Sequence, residues 1–160
     1  MNPVMNRYQA KLATPFCVLG IRTAGDCVRE IVFLPGSHKE LVPADRMAEQ
    51  ACEQLTRYID DPEFRFDIRL QSRGTPFQRR VWDRIRAVAP RRTLTYGDLA
   101  ADIGSAPRAV GQACGANPFP LVIPCHRVVS STGLGGFAHR EGGFHLSIKR
   151  WLLDHERSQP

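Results

Sequence analysis

The 160-residue chain has cysteines at 17, 27, 52, 114 and 125, and only Cys125 has neighbours that could make it react. It follows Pro124 and is followed at once by His126 and Arg127. A thiol reacts as the thiolate, and its pKa of about 8.5 must be lowered by a nearby cation or base before that form is populated at neutral pH. Adjacent side chains on extended backbone point to opposite faces, so Cys125 and His126 can meet only across a tight turn or through a bridging water. Pro124 interrupts the apolar run Phe119 to Val129. A proline there argues against a central strand and for a strand that ends and presents Cys125, His126 and Arg127 at a sharp bend. The chemistry open to such a group is nucleophilic attack on carbon. A lone Cys-His pair also fits a buried structural thiol.

The other cysteines suggest no second chemistry. Their number is odd, their spacing irregular, and no Cys-x-x-Cys pair occurs, which speaks against a disulfide framework. Cys17, Cys27 and His38 could gather round a metal, but small buried thiols on strands are the simpler reading, and no metal is expected.

Charge narrows the partners. Residues 1–70 hold nine Lys/Arg and ten Asp/Glu, a balance of −1, while residues 71–160 hold thirteen and six, a balance of +7. Twelve of those thirteen cations are Arg, the residue suited to bidentate phosphate contact and base stacking. A basic half beside a neutral one suggests a polyanion bound on the second half. No apolar run approaches the roughly 18–20 residues of a membrane span. The stretch Met1 to Leu12 has no apolar core of a signal peptide, so a cytoplasmic protein is expected.

Several elements must position Cys125. Phe16 to Arg22 and Cys27 to Leu34 read as an antiparallel hairpin around the turn Thr23 to Asp26. Ala44 to Ile59 has helical apolar spacing, stopped by Asp60-Asp61-Pro62. Phe64, Phe66, Ile68 and Leu70 alternate with Arg65, Asp67 and Arg69, the pattern of a half-buried strand. The first subdomain, residues 1–71, is thus a ββαβ scaffold. In the second, residues 72–160, Thr75 and Pro76 start a helix that runs to about Val88 and buries Phe77, Val81, Trp82 and Ile85. Thr95 caps a helix from Tyr96 to Ile103, Gly104 turns, and Ser105 caps a second helix from Ala106 to about Ala116. Two short helices joined by such a turn form a helix-turn-helix pattern. The second presents small residues and one long cation, Arg108. A last helix is expected from Leu146 to His155.

Ile123-Pro124-Cys125-His126-Arg127-Val128-Val129 resembles the active-site motif of the O6-alkylguanine-DNA alkyltransferases, the methylated-DNA–protein-cysteine methyltransferases. Gly74-Thr75-Pro76-Phe77-Gln78, Thr95 to Ala100, Arg108-Ala109-Val110-Gly111, Gly115-Ala116-Asn117-Pro118 and Lys149 to Leu153 look like that family's segments, in its order. The likeness runs from about residue 72 to 156. It implies an α+β fold, with a small ribonuclease-H-like N-terminal subdomain and a mostly helical C-terminal one carrying a winged-helix-like helix-turn-helix and the active-site segment.

The resemblance also implies roles. Cys125 would accept the alkyl group from guanine O6, irreversibly and once per molecule. His126 would act through a water as its base, with Glu156 orienting His126. Tyr96 would donate to the guanine left behind, and Asn117 would tie the recognition helix to the active-site segment. Arg108 would enter the duplex in place of the extruded nucleotide, because O6 cannot be reached inside a stacked duplex. Ser105, Ala106, Ala109, Gln112 and Arg127 would join Tyr96 and Arg108 on the DNA, in the minor groove. Pro124, Val128, Val129 and Phe137 would line the alkyl pocket. The partner would be double-stranded DNA containing O6-alkylguanine, and O4-alkylthymine is a further substrate to consider. No cofactor is implied, nor a membrane, nor an N-terminal sensor domain, and the protein would be a monomer.

Two departures stand out. Ser105-Ala106-Pro107 is about two residues shorter than the family's stretch before the arginine, and Ala138 to Ser147 about four residues longer than its stretch before Lys-Arg-Trp. Two other functions compete. A non-catalytic lesion binder of the same fold would lack the nucleophile. A Cys-His hydrolase would need an oxyanion hole and would turn over.

Overall fold

The computed structural model describes residues 7–136 and 143–158. The chain divides into two compact units, Met1–Ser72 and Arg73–Pro160.

The first unit is an antiparallel sheet under one helix. Strands β1 (Ala10–Ala13), β2 (Val18–Ala24) and β3 (Cys27–Leu34) pair in the order β1-β2-β3. The expected hairpin is β2–β3, with Gly25 at φ 60° in its turn and an irregularity at Arg22/Thr23. Helix α1 (Arg46–Asp60) starts where Asp45 accepts from the Ala48 N–H at 2.8 Å. Its inward residues Met47, Ala48, Ala51, Leu55 and Tyr58 are buried, as are Leu19, Ile21, Val28 and Ile31 of the sheet.

Two expectations for this unit need correction. Strand β1 was not foreseen. Conversely, Phe64 to Leu70 is not a strand, although its exposure alternates as expected. Only Leu70 bridges Val28, through Val28 N–H to Arg69 O and Gln71 N–H to Val28 O, both 2.8 Å. Upstream, the Gln54 side chain takes both backbone groups of Asp67, at 2.7 and 2.9 Å. A side chain of α1 thus does what a neighbouring strand would have done.

The second unit is mostly helical. Helix α2 (Pro76–Arg86) opens with a full capping box between Thr75 and Gln78 and buries Val81, Trp82 and Ile85, with Phe77 only half-buried. Strand β4 (Leu94–Thr95) leads into α3 (Tyr96–Ile103), whose N-cap Thr95 accepts from Asp98 N–H at 3.0 Å. Gly104 ends α3 at φ 68°, a left-handed turn that glycine adopts without strain. Helix α4 (Pro107–Gly115) follows, and α2 packs against both. Trp82 Nε1 donates to Ala113 O at 2.9 Å, and Arg80 to Ile103 O at the end of α3 at 2.8 Å. Ser105 is not the N-cap of α4: that position is Ala106, with no side-chain hydrogen bond. Pro107 at N1 lowers the need for a cap, because it removes one of the unpaired N–H groups.

Phe119 to Pro124 is also not a strand. The Asn117 side chain accepts from Phe119 N–H at 2.8 Å and donates to Ile123 O at 2.9 Å, holding a compact loop in which Leu121 takes φ 77°. Cys125–Arg127 then form a single 3-10 turn after Pro124, so the expected bend is there, approached from a loop. Strand β5 (Val128–Val129) pairs in parallel with β4. Helix α5 (Gly143–Ser158) buries Ile148, Leu152 and Leu153. Among the described residues no helix is long and apolar enough to cross a membrane.

Candidate active site

Cys125 and His126 sit on a 3-10 turn rather than on extended backbone. On a turn, successive side chains diverge without lying on opposite faces. Cys125 is 4% exposed and His126 wholly buried. Asn117 Nδ2 donates to Cys125 Sγ at 3.2 Å and to Ile123 O, so one side chain fixes both the sulfur and the loop behind it.

His126 faces Glu156 on α5, with Nε2 2.7 Å from Oε2. Arg127 lies along the same carboxylate, Nε to Oε1 at 2.9 Å and Nη2 to Oε2 at 3.0 Å, while Nη1 donates to Val88 O at 2.7 Å. Burial acts to raise the Glu156 pKa, but the hydrogen bonds and charges of His126 and Arg127 outweigh it and hold the group far below its usual range. Burial lowers the His126 pKa, opposed by Glu156 and assisted by the charges of Arg127 and Lys149. The ring is therefore neutral at pH 7 beside an ionised carboxylate. A carboxylate only accepts, so Nε2 carries the proton and Nδ1 keeps a lone pair. Among the described residues, Nδ1 meets no protein donor or acceptor. A buried neutral imidazole, oriented by a carboxylate and with its second nitrogen unengaged, is fit to take a proton.

Arg127 is thereby used up inside the protein at 7% exposure. The expectation that it contacts DNA is wrong: Glu156 and the Val88 carbonyl occupy its guanidinium. Ser105 is half-buried rather than presented as a helix cap.

Two groups near Cys125 were missed. Lys149 is fully buried, its Nζ donating to Val128 O at 2.7 Å and Gly136 O at 2.9 Å. Burial pushes its pKa down to about 8, and the charges of Cys114 and Cys125 work the other way. Helical spacing could have revealed it, since 149, 152, 153 and 156 share one face and that face is buried. Cys114 is buried on α4, as are Val110 and Ala113. The Cys114 thiol and burial hold the Cys125 thiol well above its ordinary pKa, while Asn117 and Lys149 pull the other way.

The remaining predicted residues fall into two groups. Tyr96 is half-buried at the start of α3, its hydroxyl donating to Gly136 O at 3.3 Å. Burial first, then the charges of Cys114 and Cys125, raise its pKa, so the hydroxyl stays a donor. Gly135, at φ 73°, lies so close that a Cβ there would come within 2.9 Å of the Tyr96 ring. Pro124 and Val128 are buried and Val129 is half-buried. On α4 and its approach, Ala106, Arg108 and Gln112 are exposed and Ala109 half-buried, a surface of short side chains with one long cation. Phe137, expected to line the pocket, and residues 138–142 of the lengthened stretch lie outside the described residues, while Gly143 to Ser147 form the first turn of α5.

The chain is similar to known proteins in sequence and in fold. Residues 76–158 match the family model described as the 6-O-methylguanine DNA methyltransferase, DNA binding domain. The methylated-DNA–protein-cysteine methyltransferase of Methanosarcina acetivorans is 36% identical over 148 residues, covering 86% of this chain and 92% of that protein. A probable methylated-DNA–protein-cysteine methyltransferase of Acanthamoeba polyphaga mimivirus is 45% identical over 93 residues, 57% of this chain. The chain spans only 59% of the length of that viral relative. In structure it is similar to Mycobacterium tuberculosis OGT solved in complex with DNA, with a TM-score of 0.78 and 31% identity, over 92% of both chains.

Proposed function

Because the chain belongs to the methylated-DNA–protein-cysteine methyltransferase family, we propose that it repairs DNA by moving an alkyl group from guanine O6 onto Cys125. The observation that carries this reading is the linked set at the 3-10 turn: a buried thiol, then a neutral His126 whose Nε2 is committed to Glu156 and whose Nδ1 is unengaged.

His126 Nδ1 takes the Cys125 proton, through a water, as the sulfur attacks the alkyl carbon. The carbon–O6 bond breaks and its electron pair stays on the guanine. Tyr96, held as a protonated phenol, donates to the base as that charge develops. Asn117 keeps the sulfur aimed, and Glu156 favours the imidazolium that forms. A thioether has no ready leaving group, so the thiol is not regenerated and each molecule acts once.

Duplex DNA bearing the lesion is the partner, read by α3, the Gly104 turn and α4. Arg108, exposed at the start of α4, fills the stack when the nucleotide is extruded, and Ala106, Ala109 and Gln112 lie against the groove. Residues 72–160 carry binding and chemistry, with 1–71 as scaffold. A monomer working in the cytoplasm without a cofactor is the state that goes with this reading. A non-catalytic lesion binder is the weaker alternative, since Cys125 and its proton acceptor are both in place.

The test is a duplex oligonucleotide carrying O6-methylguanine. Intact-mass measurement is expected to show one methyl per protein, mapped to Cys125, and none in Cys125→Ala. Repeated turnover, or transfer by Cys125→Ala, would overturn the reading.

A further inference from the structure

The end of α4 connects Trp82 to Asn117. A helix leaves its last four carbonyls without partners from its own turns. In α4 one of these is Ala113 O, and it accepts from the buried Trp82 indole N–H at 2.9 Å. Ala116 N–H turns back to Gln112 O at 3.1 Å, and Asn117 N–H to Cys114 O at 3.2 Å. A continuing α-helix would direct the Asn117 N–H to Ala113 O instead, four residues back. The indole occupies that acceptor, α4 stops at Gly115, and Asn117 stands just past it. From there the Asn117 side chain reaches Phe119 N–H, Ile123 O and Cys125 Sγ. The indole is itself confined. Gly74, at φ 93°, lies so close that a Cβ there would come within 2.5 Å of the Trp82 ring, and Arg79 grips the Gly74 carbonyl with two hydrogen bonds of 3.0 and 3.1 Å.

We propose that Trp82 is a positioning residue: its indole N–H ends α4 at Ala113 and so sets the Asn117 side chain against the Cys125 sulfur. The placement of Asn117 stands on these contacts, and only its consequence for alkyl transfer rests on Cys125 being the acceptor.

With the indole donor gone, Ala113 O is a buried carbonyl in need of a partner. The Asn117 N–H is the donor that helix geometry offers it. Taking it lengthens α4 and turns the segment at Asn117 about its axis, by about 100° for each residue added, which carries the side chain away from the sulfur. Asn117 donation favours the thiolate, so its loss slows reaction at Cys125.

The experiment follows alkylation of Cys125 by iodoacetamide in the intact protein, by peptide mass at pH 7. Trp82 is replaced by Phe and, separately, by β-(3-benzothienyl)alanine, which keeps the shape of the indole with sulfur in place of N–H. Each replacement is made alone and together with Asn117→Ala. Asn117→Ala alone is expected to slow the reaction by about tenfold, the scale of a hydrogen bond to a charged group. Each Trp82 replacement alone is expected to slow it at least about threefold, and to change it by less than about twofold once Asn117 is Ala. 5-Fluorotryptophan at position 82 keeps the N–H and is expected to restore the parental rate. Equal slowing with and without Asn117 would overturn the proposal, since a merely structural loss ignores the partner. So would a parental rate in the benzothienyl variant, which decides the matter if Trp82→Phe does not fold. If Cys125 were not the acceptor, the unsubstituted protein would take no methyl from an O6-methylguanine duplex while the coupling of Trp82 to Asn117 persisted, which separates the two failures.

Discussion

Arg127 lies edge-on to Glu156 inside the second unit, with two parallel hydrogen bonds of 2.9 and 3.0 Å to the two carboxylate oxygens. The fork matches the carboxylate in a way a lysine ammonium cannot. It keeps Glu156 ionised behind His126, so the guanidinium two positions after Cys125 is spent on the buried carboxylate. Arg127→Ala is expected to cost about 3–5 kcal/mol, because it strands a buried carboxylate, with Arg127→Lys restoring only part. Urea unfolding measures this. Duplex binding supplies the contrast. Arg127→Ala should leave the salt dependence of binding unchanged, whereas Arg108→Ala should reduce the slope by about one counterion. An equal change in both slopes would return Arg127 to the DNA surface.

Acid should weaken the protein in two steps. His126 titrates below its ordinary 6.5, because burial penalises the charged ring. Glu156, despite burial, titrates below its ordinary 4.5, because His126 and Arg127 hold its charge. In each case the unfolded chain binds a proton that the folded chain refuses, so stability rises with pH across that window. Falling pH is therefore expected to lower the urea midpoint first below 6.5 and again below 4.5. The second step should flatten in Glu156→Gln. Transfer should fail on the same acid side, since a protonated His126 cannot accept from Cys125. A rate that rises on acidification would contradict this arrangement.

The two helix starts of the second unit differ in a way single substitutions can read. The Thr75 hydroxyl accepts from Gln78 N–H at 3.1 Å, and the Thr75 backbone N–H donates to Gln78 Oε1 at 2.9 Å in return. Thr75→Ala should cost about 1 kcal/mol. Ser105 caps nothing, so Ser105→Ala should stay within about 0.5 kcal/mol. Thermal unfolding of the two variants side by side decides it.

Local signals were legible and tertiary ones were not. Thr75, Pro76, Thr95 and Gly104 act through atoms three or four residues away, and the helices begin and end where those residues say. Cys125 and His126 were legible as a motif. Phe64 to Leu70 and Phe119 to Pro124 were misread because their patterns describe burial, while their backbone partners are side chains elsewhere in the chain, Gln54 and Asn117. Arg127 was misread for a related reason: an arginine in a basic half looks like a DNA contact until Glu156, far along the chain, is seen to meet it. Strand β1 is only four residues long, too short for its alternation to stand out, although it pairs with β2 just downstream. Lys149 could have been found, because the apolar face of α5 contains it.

Lys149 carries the last prediction. Its Nζ joins Val128 O, just past the nucleophile turn, to Gly136 O, which also accepts from the Tyr96 hydroxyl. It therefore ties together the segments bearing Cys125 and Tyr96, and it places a cation near Cys125. Lys149→Met keeps the length and removes both functions. Each carbonyl left without a donor should cost about 1–3 kcal/mol, which a purely structural tie would also predict. The charge has its own signature in the rate at which iodoacetamide alkylates Cys125, followed by peptide mass. Loss of the cation should slow that rate at pH 7, because it removes a charge that favours the thiolate. Lys149 itself titrates at about 8, so the advantage of the unsubstituted protein should shrink as pH rises past that value. A constant ratio of the two rates from pH 7 to 9 would reduce Lys149 to a strut.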